Sequence, residues 1–411
     1  MKKILLFIPA LLIIINHSVL SCTSAVISGK ATPDGRPLLW KHRDTGFLQN
    51  KLVQFTGTKY SYIGLVNSKD PNNKSVWIGF NSAGFAIMNT ASYNLNNDTI
   101  RQSGLEGRLM KRALEECANI DEFEQLLKSL KHPIKLEANF GVIDANGGAA
   151  YFELGNFSYE KIDANDPKIA PYGYVVRTNY STTGVMGLAS GYIRLETADD
   201  LIRMAVQERR LTPKAIIQDV SRSLYHSLTK VDLYDYSNIP ENNTTYVNFE
   251  DFIPRKNTSS AAVVQGVKKG EDPMYSTMWT ALGWPLSTVC VPVWNHTKTE
   301  LPSILLYDKE IKDSPMCAMG MEVKNKCYSF NWGIKSGKYM NVNALLNADD
   351  SGIIQLLEPF EDKIFKKASA VLDSWRDSKI DASEMEDFYD WVDKEIPAFY
   401  KETFNVEIKN K

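Results

Sequence analysis

The chain has 411 residues, a formal net charge of −2, 44% hydrophobic residues and 23% charged residues. Those fractions describe an ordinary globular protein with enough chain for one large domain or two modest ones. Acidic and basic residues are interspersed and no basic stripe is interleaved with aromatics, which argues against nucleic acid as a partner.

The first element is a predicted signal peptide. Lys2 and Lys3 form a positive start, and Ile4 to Ile15 is apolar, broken only by Pro9. The stretch is short for a bilayer span and ends in small-residue cleavage chemistry at Val19-Leu20-Ser21. Cleavage after Ser21 divides the chain into residues 1–21, a leader, and residues 22–411, expected to form a single catalytic domain with a helical segment at about 360–403. The expected destination is the periplasm or the exterior. Cys22 then has two fates. In a lipoprotein it is lipidated, and only then does the protein touch a membrane. Otherwise the mature chain opens with a cysteine that carries both a thiol and a free α-amine.

From Thr23 the pattern reads strand, turn, strand. Thr23 to Ser28 is β-rich, Thr32-Pro33-Asp34-Gly35 is a turn, and Leu38 to Asp44 is a second strand. Tyr60 to Val66, Ser75 to Phe80 and Phe85 to Met88 continue as hairpin strands. Glu106 to Ala118 has helical apolar spacing, and Asp121 is the expected N-cap of a second helix. Phe140 to Asp144, Asn146-Gly147-Gly148 and Ala150 to Glu153 form a hairpin signature, and Tyr174 to Arg177 is another strand. Helices are expected at Arg194 to Gln207 and Pro213 to Ser223, a long loop at Tyr234 to Glu250, and strands at Ser260 to Val267 and Leu286 to Trp294. Glu361 to Arg376 and Ser383 to Phe399 close the chain as helices. The series fits an α+β protein of two packed antiparallel sheets covered by helices, and not a parallel βαβ series.

An N-terminal cysteine places a nucleophile and a general base on one residue. The α-amine titrates at about 7.7–8.0 and a free thiol at about 8.5, so a small shift lets the amine take the thiol proton. Asp44 at the end of the neighbouring strand is the expected anchor for the chain end. Lys41 and Arg43 share one face of that strand, and a cation there favours thiolate.

These residues carry a resemblance. Cys22-Thr23-Ser24, Gly29 to Gly35 and Lys41-His42-Arg43-Asp44 resemble the start of the cysteine N-terminal nucleophile hydrolases. That superfamily includes choloylglycine hydrolases, penicillin V acylases, the acyl-CoA:6-aminopenicillanate acyltransferase family, linear amide hydrolases and secreted dipeptidases. Its Arg-x-x-Asp falls on Lys41 and Asp44, so lysine stands where arginine is usual unless Arg43 fills that role. Asn81 to Ile87 is similar to a family turn, and Asn89 just after it corresponds to an oxyanion-hole asparagine. Val176-Arg177-Thr178-Asn179 and Ser190 to Arg194 resemble the segments that bring an asparagine and an arginine to the cysteine. Beyond about residue 200 only Thr277-Met278-Trp279 and Ser287 to Val291 continue the likeness. The acyltransferase-like branch fits best, then the dipeptidases.

The resemblance implies an αββα sandwich and an amidohydrolase. Its site residues would be Cys22 as nucleophile, Asp44 and Lys41 beside it, Asn89 and Asn179 as oxyanion donors, and Arg194 in support. The substrate would be a small linear amide: an N-acyl amino acid, a conjugated bile salt, a penicillin-like molecule or a short peptide. Acyl transfer through the same acyl-enzyme stays open, as does a non-catalytic lipoprotein. A papain-like protease lacks a suitably placed histidine. No metal or cofactor is expected, a homo-oligomer is left open, and Cys317 with Cys327 is a candidate disulfide.

Overall fold

The computed structural model describes residues 21–329 and 336–408. The predicted leader, apart from Ser21, lies outside the described residues. Thirteen strands build two antiparallel sheets. In chain order they are β1 (Thr23–Ile27), β2 (Leu38–Asp44), β3 (Asn50–Phe55), β4 (Tyr62–Asn67), β5 (Ile78–Asn81), β6 (Ala86–Ala91), β7 (Ala138–Ile143), β8 (Ala149–Leu154), β9 (Tyr159–Asp163), β10 (Tyr174–Arg177), β11 (Thr258–Gln265), β12 (Thr277–Leu282) and β13 (Val291–Trp294). The first sheet has the order β10-β1-β2-β11-β12-β13, and the second runs β3 to β9 as a meander.

Alternation along the meander strands decides which layer each side chain joins. Leu65, Met88 and Tyr151 enter the core shared with the first sheet. Their neighbours Val66, Ile87 and Phe152 face the other way, onto helices α1 (Glu106–Glu116) and α2 (Ile120–Lys128). The first sheet is buried on both faces, because α3 (Tyr192–Gln207), α5 (Ile353–Asp377) and α6 (Ala382–Phe404) pack on its far side, with α4 (Pro315–Lys324) beside β12. Four layers result, helix on sheet on sheet on helix. The sheets approach closely at Gly141, where a Cβ would lie 2.3 Å from Met88 Cε and 2.8 Å from Val26 Cγ2. Any larger residue there would force the layers apart.

A buried ion pair fastens α5 to the β12–β13 connection. Arg222 and Glu361 are both fully buried and meet at 2.6 Å, while Glu361 also accepts from the Cys290 amide at 2.6 Å. The Glu361 carboxylate offsets the burial of Arg222 and raises its pKa. Such a pair is costly to bury and costlier to break singly, so it fixes register more than it adds stability.

Several expectations are corrected. Asn119, not Asp121, caps α2: it is extended and its side chain accepts from the Glu122 amide at 2.9 Å. Asp121 sits in the first turn, where it complements the helix dipole. The long loop expected at Tyr234 to Glu250 contains a 3-10 helix, Leu233–Asn238, and a strand, Tyr246–Asn248, paired with Tyr339–Asn341. Cys317 and Cys327 form no disulfide. The Cys317 thiol donates to Leu48 O at 3.3 Å, and burial raises both thiol pKa values. Trp279, Trp284 and Trp294 belong to the core. Trp279 stacks on Phe365, Trp284 meets Tyr328, and Trp294 meets Trp375. Among the described residues no helix is long and apolar enough to cross a membrane, and no metal-ligating cluster is present.

Candidate active site

Cys22 lies at the mouth of the first sheet, just before β1, and is 7% exposed. Its position is set by pairing on both sides. Thr23 faces His42 of β2, and Ser24 faces both Lys41 of β2 and Arg177 of β10. The Ser24 hydroxyl bonds Tyr151 of the second sheet at 2.8 Å, so the strand behind the cysteine is tied to both sheets.

In this chain the Cys22 nitrogen is the amide of the Ser21–Cys22 peptide, and it stands in for the α-amine that cleavage would create. It donates to Asn179 Oδ1 at 3.0 Å. Asn179 Nδ2 donates to Ala91 O at 2.8 Å, which turns the acceptor atom toward Cys22. Arg194, from the first turn of α3, is buried against the same residues. Its Nη1 donates to Cys22 O at 2.9 Å and Thr23 Oγ1 at 2.6 Å. Its Nη2 reaches Asn179 Oδ1 at 3.3 Å and the Ser21 hydroxyl. Gly191, at φ 95°, starts α3 beside it, and a Cβ there would lie 2.6 Å from Arg194 Nη2. Burial, then the nearby Arg255 charge, lowers the Arg194 pKa to about 10.

The structure changes three expected roles. Asp44 does not hold the Cys22 nitrogen. Its Oδ2 takes Arg255 at 3.0 and 2.5 Å, and its Oδ1 accepts from Thr258 Oγ1 at 2.6 Å. The reason is register: β11 lies against β2, with Thr258 opposite Asp44. Asn179 presents an acceptor to the cysteine nitrogen, where an oxyanion donor was expected. Arg43 gives its hydrogen bonds away from the thiol, although it stays within electrostatic reach of the Cys22 sulfur. It bonds Asn50 and Asn67 and lies 4.7 Å over Trp77.

Lys41 also lies within electrostatic reach of the thiol. It is buried, and its Nζ donates to Asn89 O and, at 2.8 Å, to Asn89 Oδ1. Burial lowers its pKa to about 8, partly offset by the Cys22 sulfur within electrostatic reach. With Oδ1 held by Lys41, Nδ2 is the Asn89 side-chain atom left to donate to an oxyanion. His42 does not supply a base. Thr258 Oγ1 spends its proton on Asp44, so His42 Nε2 donates to Thr258 Oγ1 at 3.2 Å. Its Nδ1 is buried without a partner, and burial pushes the ring down to about 4.

Arg255 was not singled out from the sequence. Its Nη2 also donates to Ser21 O at 3.1 Å. Burial opposes its charge, but Asp44 outweighs burial and raises its pKa. Lys324 supports the Arg255–Lys256 segment by donating to Lys256 O, and burial lowers its own pKa to about 7.

A sequence model of the family described as acyl-coenzyme A:6-aminopenicillanic acid acyl-transferase matches residues 46–241. The matched span begins just after Asp44 and includes Asn89, Asn179 and Arg194. No curated protein matches the chain. Among solved structures, a Caenorhabditis elegans N-acylethanolamine-hydrolyzing acid amidase ortholog is similar at 17% identity and TM-score 0.40, over 59% of this chain and 92% of that one. A conjugated bile acid hydrolase from Clostridium perfringens is similar at 11% identity and TM-score 0.39, over 66% and 92%. Penicillin V acylase from Agrobacterium tumefaciens is similar at 14% identity and TM-score 0.38, over 68% and 89%. Residues 46–241, just under half of the chain, thus match the sequence model of that acyl-transferase family.

Proposed function

We propose that this chain, cut after Ser21 and exported, is an amidohydrolase whose nucleophile is the thiol of Cys22. The carrying observation is the Cys22 nitrogen held on Asn179 Oδ1 at 3.0 Å, with Arg194 clamping the Cys22 carbonyl. The chain end is thereby fixed where a freed amine would act, which overcomes the usual fraying of a terminus. The amine takes the thiol proton, and the thiolate adds to the amide carbonyl carbon. Asn89 Nδ2 faces the developing oxyanion. Collapse breaks the C–N bond, and the ammonium returns its proton to the leaving nitrogen. A water, deprotonated by the amine, then opens the thioester and releases the acid. An acceptor amine in place of water would complete acyl transfer by the same route.

The lipoprotein reading fits less well. A lipid anchor needs a free tether, whereas Cys22 and Thr23 are buried and β1 begins at once. Intact mass and N-terminal sequencing of the exported protein test both readings, together with a screen of N-acyl amino acids, bile salt conjugates, penicillin V and dipeptides. The expected result is an unacylated chain starting at Cys22 that hydrolyses at least one class. A different start, or acyl groups on Cys22, would sink the proposal.

The pH profile follows from two groups. Activity rises as the amine loses its proton at about 7.7–8.0. It falls as buried Lys41 loses its charge at about 8. A narrow bell in kcat/KM is therefore expected. Lys41→Met should lower neutral-pH kcat by about 10- to 100-fold and remove the fall near pH 8, because the cation that titrates there is gone. An unchanged alkaline limb in that variant would assign it to another group.

A further inference from the structure

The place Ser21 occupies is built to hold oxygen. Ser21 is buried, its carbonyl accepts from Arg255 Nη2 at 3.1 Å, and its hydroxyl accepts from Arg194 Nη2. Both guanidinium groups are fixed by partners that stay behind when Ser21 leaves. Arg255 is held by Asp44, and Arg194 by Cys22 O, Thr23 Oγ1 and Asn179 Oδ1. Cleavage would therefore leave two aimed donors facing a vacated space beside the new amine.

Charge points the same way. Arg194, Arg255, Lys41 and Arg43 are four cations within electrostatic reach of Cys22, and Asp44 is the one carboxylate bonded to any of them among the described residues. Asp251 and Glu106 act on this cluster only at longer range, and His42 is neutral. A site with surplus positive charge and a fixed guanidinium favours a carboxylate over a neutral group.

Position identifies which part of a substrate enters. The amine must hand a proton to the leaving nitrogen, so the leaving group sits against the amine, on the side where Ser21 now lies. We infer that the Ser21 cradle becomes a carboxylate subsite for the leaving group, with Arg255 and Arg194 as its donors. This inference rests on the amidohydrolase reading and narrows it: the substrates are amides of amino acids with a free carboxylate, not of neutral amines.

The test compares decanoylglycine with decanoylglycinamide, which have nearly the same shape and differ in charge, on protein beginning at Cys22. The glycine conjugate should have a kcat/KM at least about tenfold higher. In Arg255→Gln that ratio should fall toward one, chiefly through a higher KM for the carboxylate substrate. The ratio is the readout, since Arg255 also contacts Asp44 and its loss will change absolute rates. If the variant does not fold, the native enzyme still decides. Rising salt should erode the advantage of the glycine conjugate and leave the glycinamide value steady. Equal or better turnover of the glycinamide by native enzyme overturns the subsite and leaves the amidohydrolase standing. Hydrolysis of neither, alongside failure of every other amide class, overturns the reading beneath it and the subsite with it.

Discussion

Cys22→Ala is expected to reduce amide hydrolysis at least about 10⁴-fold while the protein keeps its fold, because covalent catalysis has no substitute nucleophile here. The four other cysteines are all buried. Burial raises the thiol pKa of Cys117, Cys290, Cys317 and Cys327 alike, so none offers a reactive thiolate. The Cys22 side chain contributes little packing. Its sulfur touches Asp44 O at 3.9 Å, whereas the backbone on either side carries the strand and clamp contacts. Alanine keeps that backbone and the amine, so its melting temperature should stay within a few degrees of native. Cys22→Ser keeps an oxygen nucleophile and the amine base, but a hydroxyl is far harder to deprotonate than a thiol. A loss of about 10²- to 10³-fold is expected there. Steady-state rates with a hydrolysed amide, read beside thermal unfolding, decide the matter. Substantial turnover by a correctly folded Cys22→Ala protein would move the nucleophile elsewhere.

What the sequence revealed and what it hid divide along physical lines. β1 and β2 were readable because β-branched and apolar residues run between strong turn residues at Thr32 to Gly35. β3 and β9 were missed because both are edge strands of the meander, partly exposed and mixed with Lys51, Gln54, Glu160 and Lys161. A half-exposed edge leaves little hydrophobic alternation to find. At the site, Cys22, Asn179 and Arg194 were legible because each sits in a short local motif, and the structure gathers them on one residue's backbone. Asp44 was legible as a residue but not in its role. Its partner Arg255 lies 211 positions away and arrives only through the pairing of β2 with β11. No spacing rule encodes that register. Lys41 and Arg43 could not be told apart from sequence either. They share a strand face, and only the neighbouring strands decide that Arg43 meets Asn50 and Asn67 while Lys41 meets Asn89.

Arg194→Met carries the second large effect, and its signature separates positioning from mere support of the fold. The guanidinium bonds the Cys22 carbonyl, the Thr23 hydroxyl and Asn179 Oδ1 together. Its removal leaves the Cys22 carbonyl and the Asn179 acceptor without their clamp, and the amine loses its fixed direction. A rate loss of about 10²- to 10³-fold is expected from misplacement alone. Stability should fall by only about 1–3 kcal/mol, since unpaired acceptors are costly but relief from burying a charge partly compensates. Arg194→Lys keeps the charge yet has no planar fork, so one ammonium cannot serve these acceptors at once, and an intermediate rate is expected. The discriminating measurement is the pH dependence of Cys22 alkylation. A cation beside the amine disfavours its protonated form, so deleting that cation raises the amine pKa and moves the rising limb to higher pH. Lysine should hold the limb nearer its native place. If methionine lowers the melting temperature while leaving that limb unmoved, Arg194 is a structural residue and the clamp plays no part in preparing the amine.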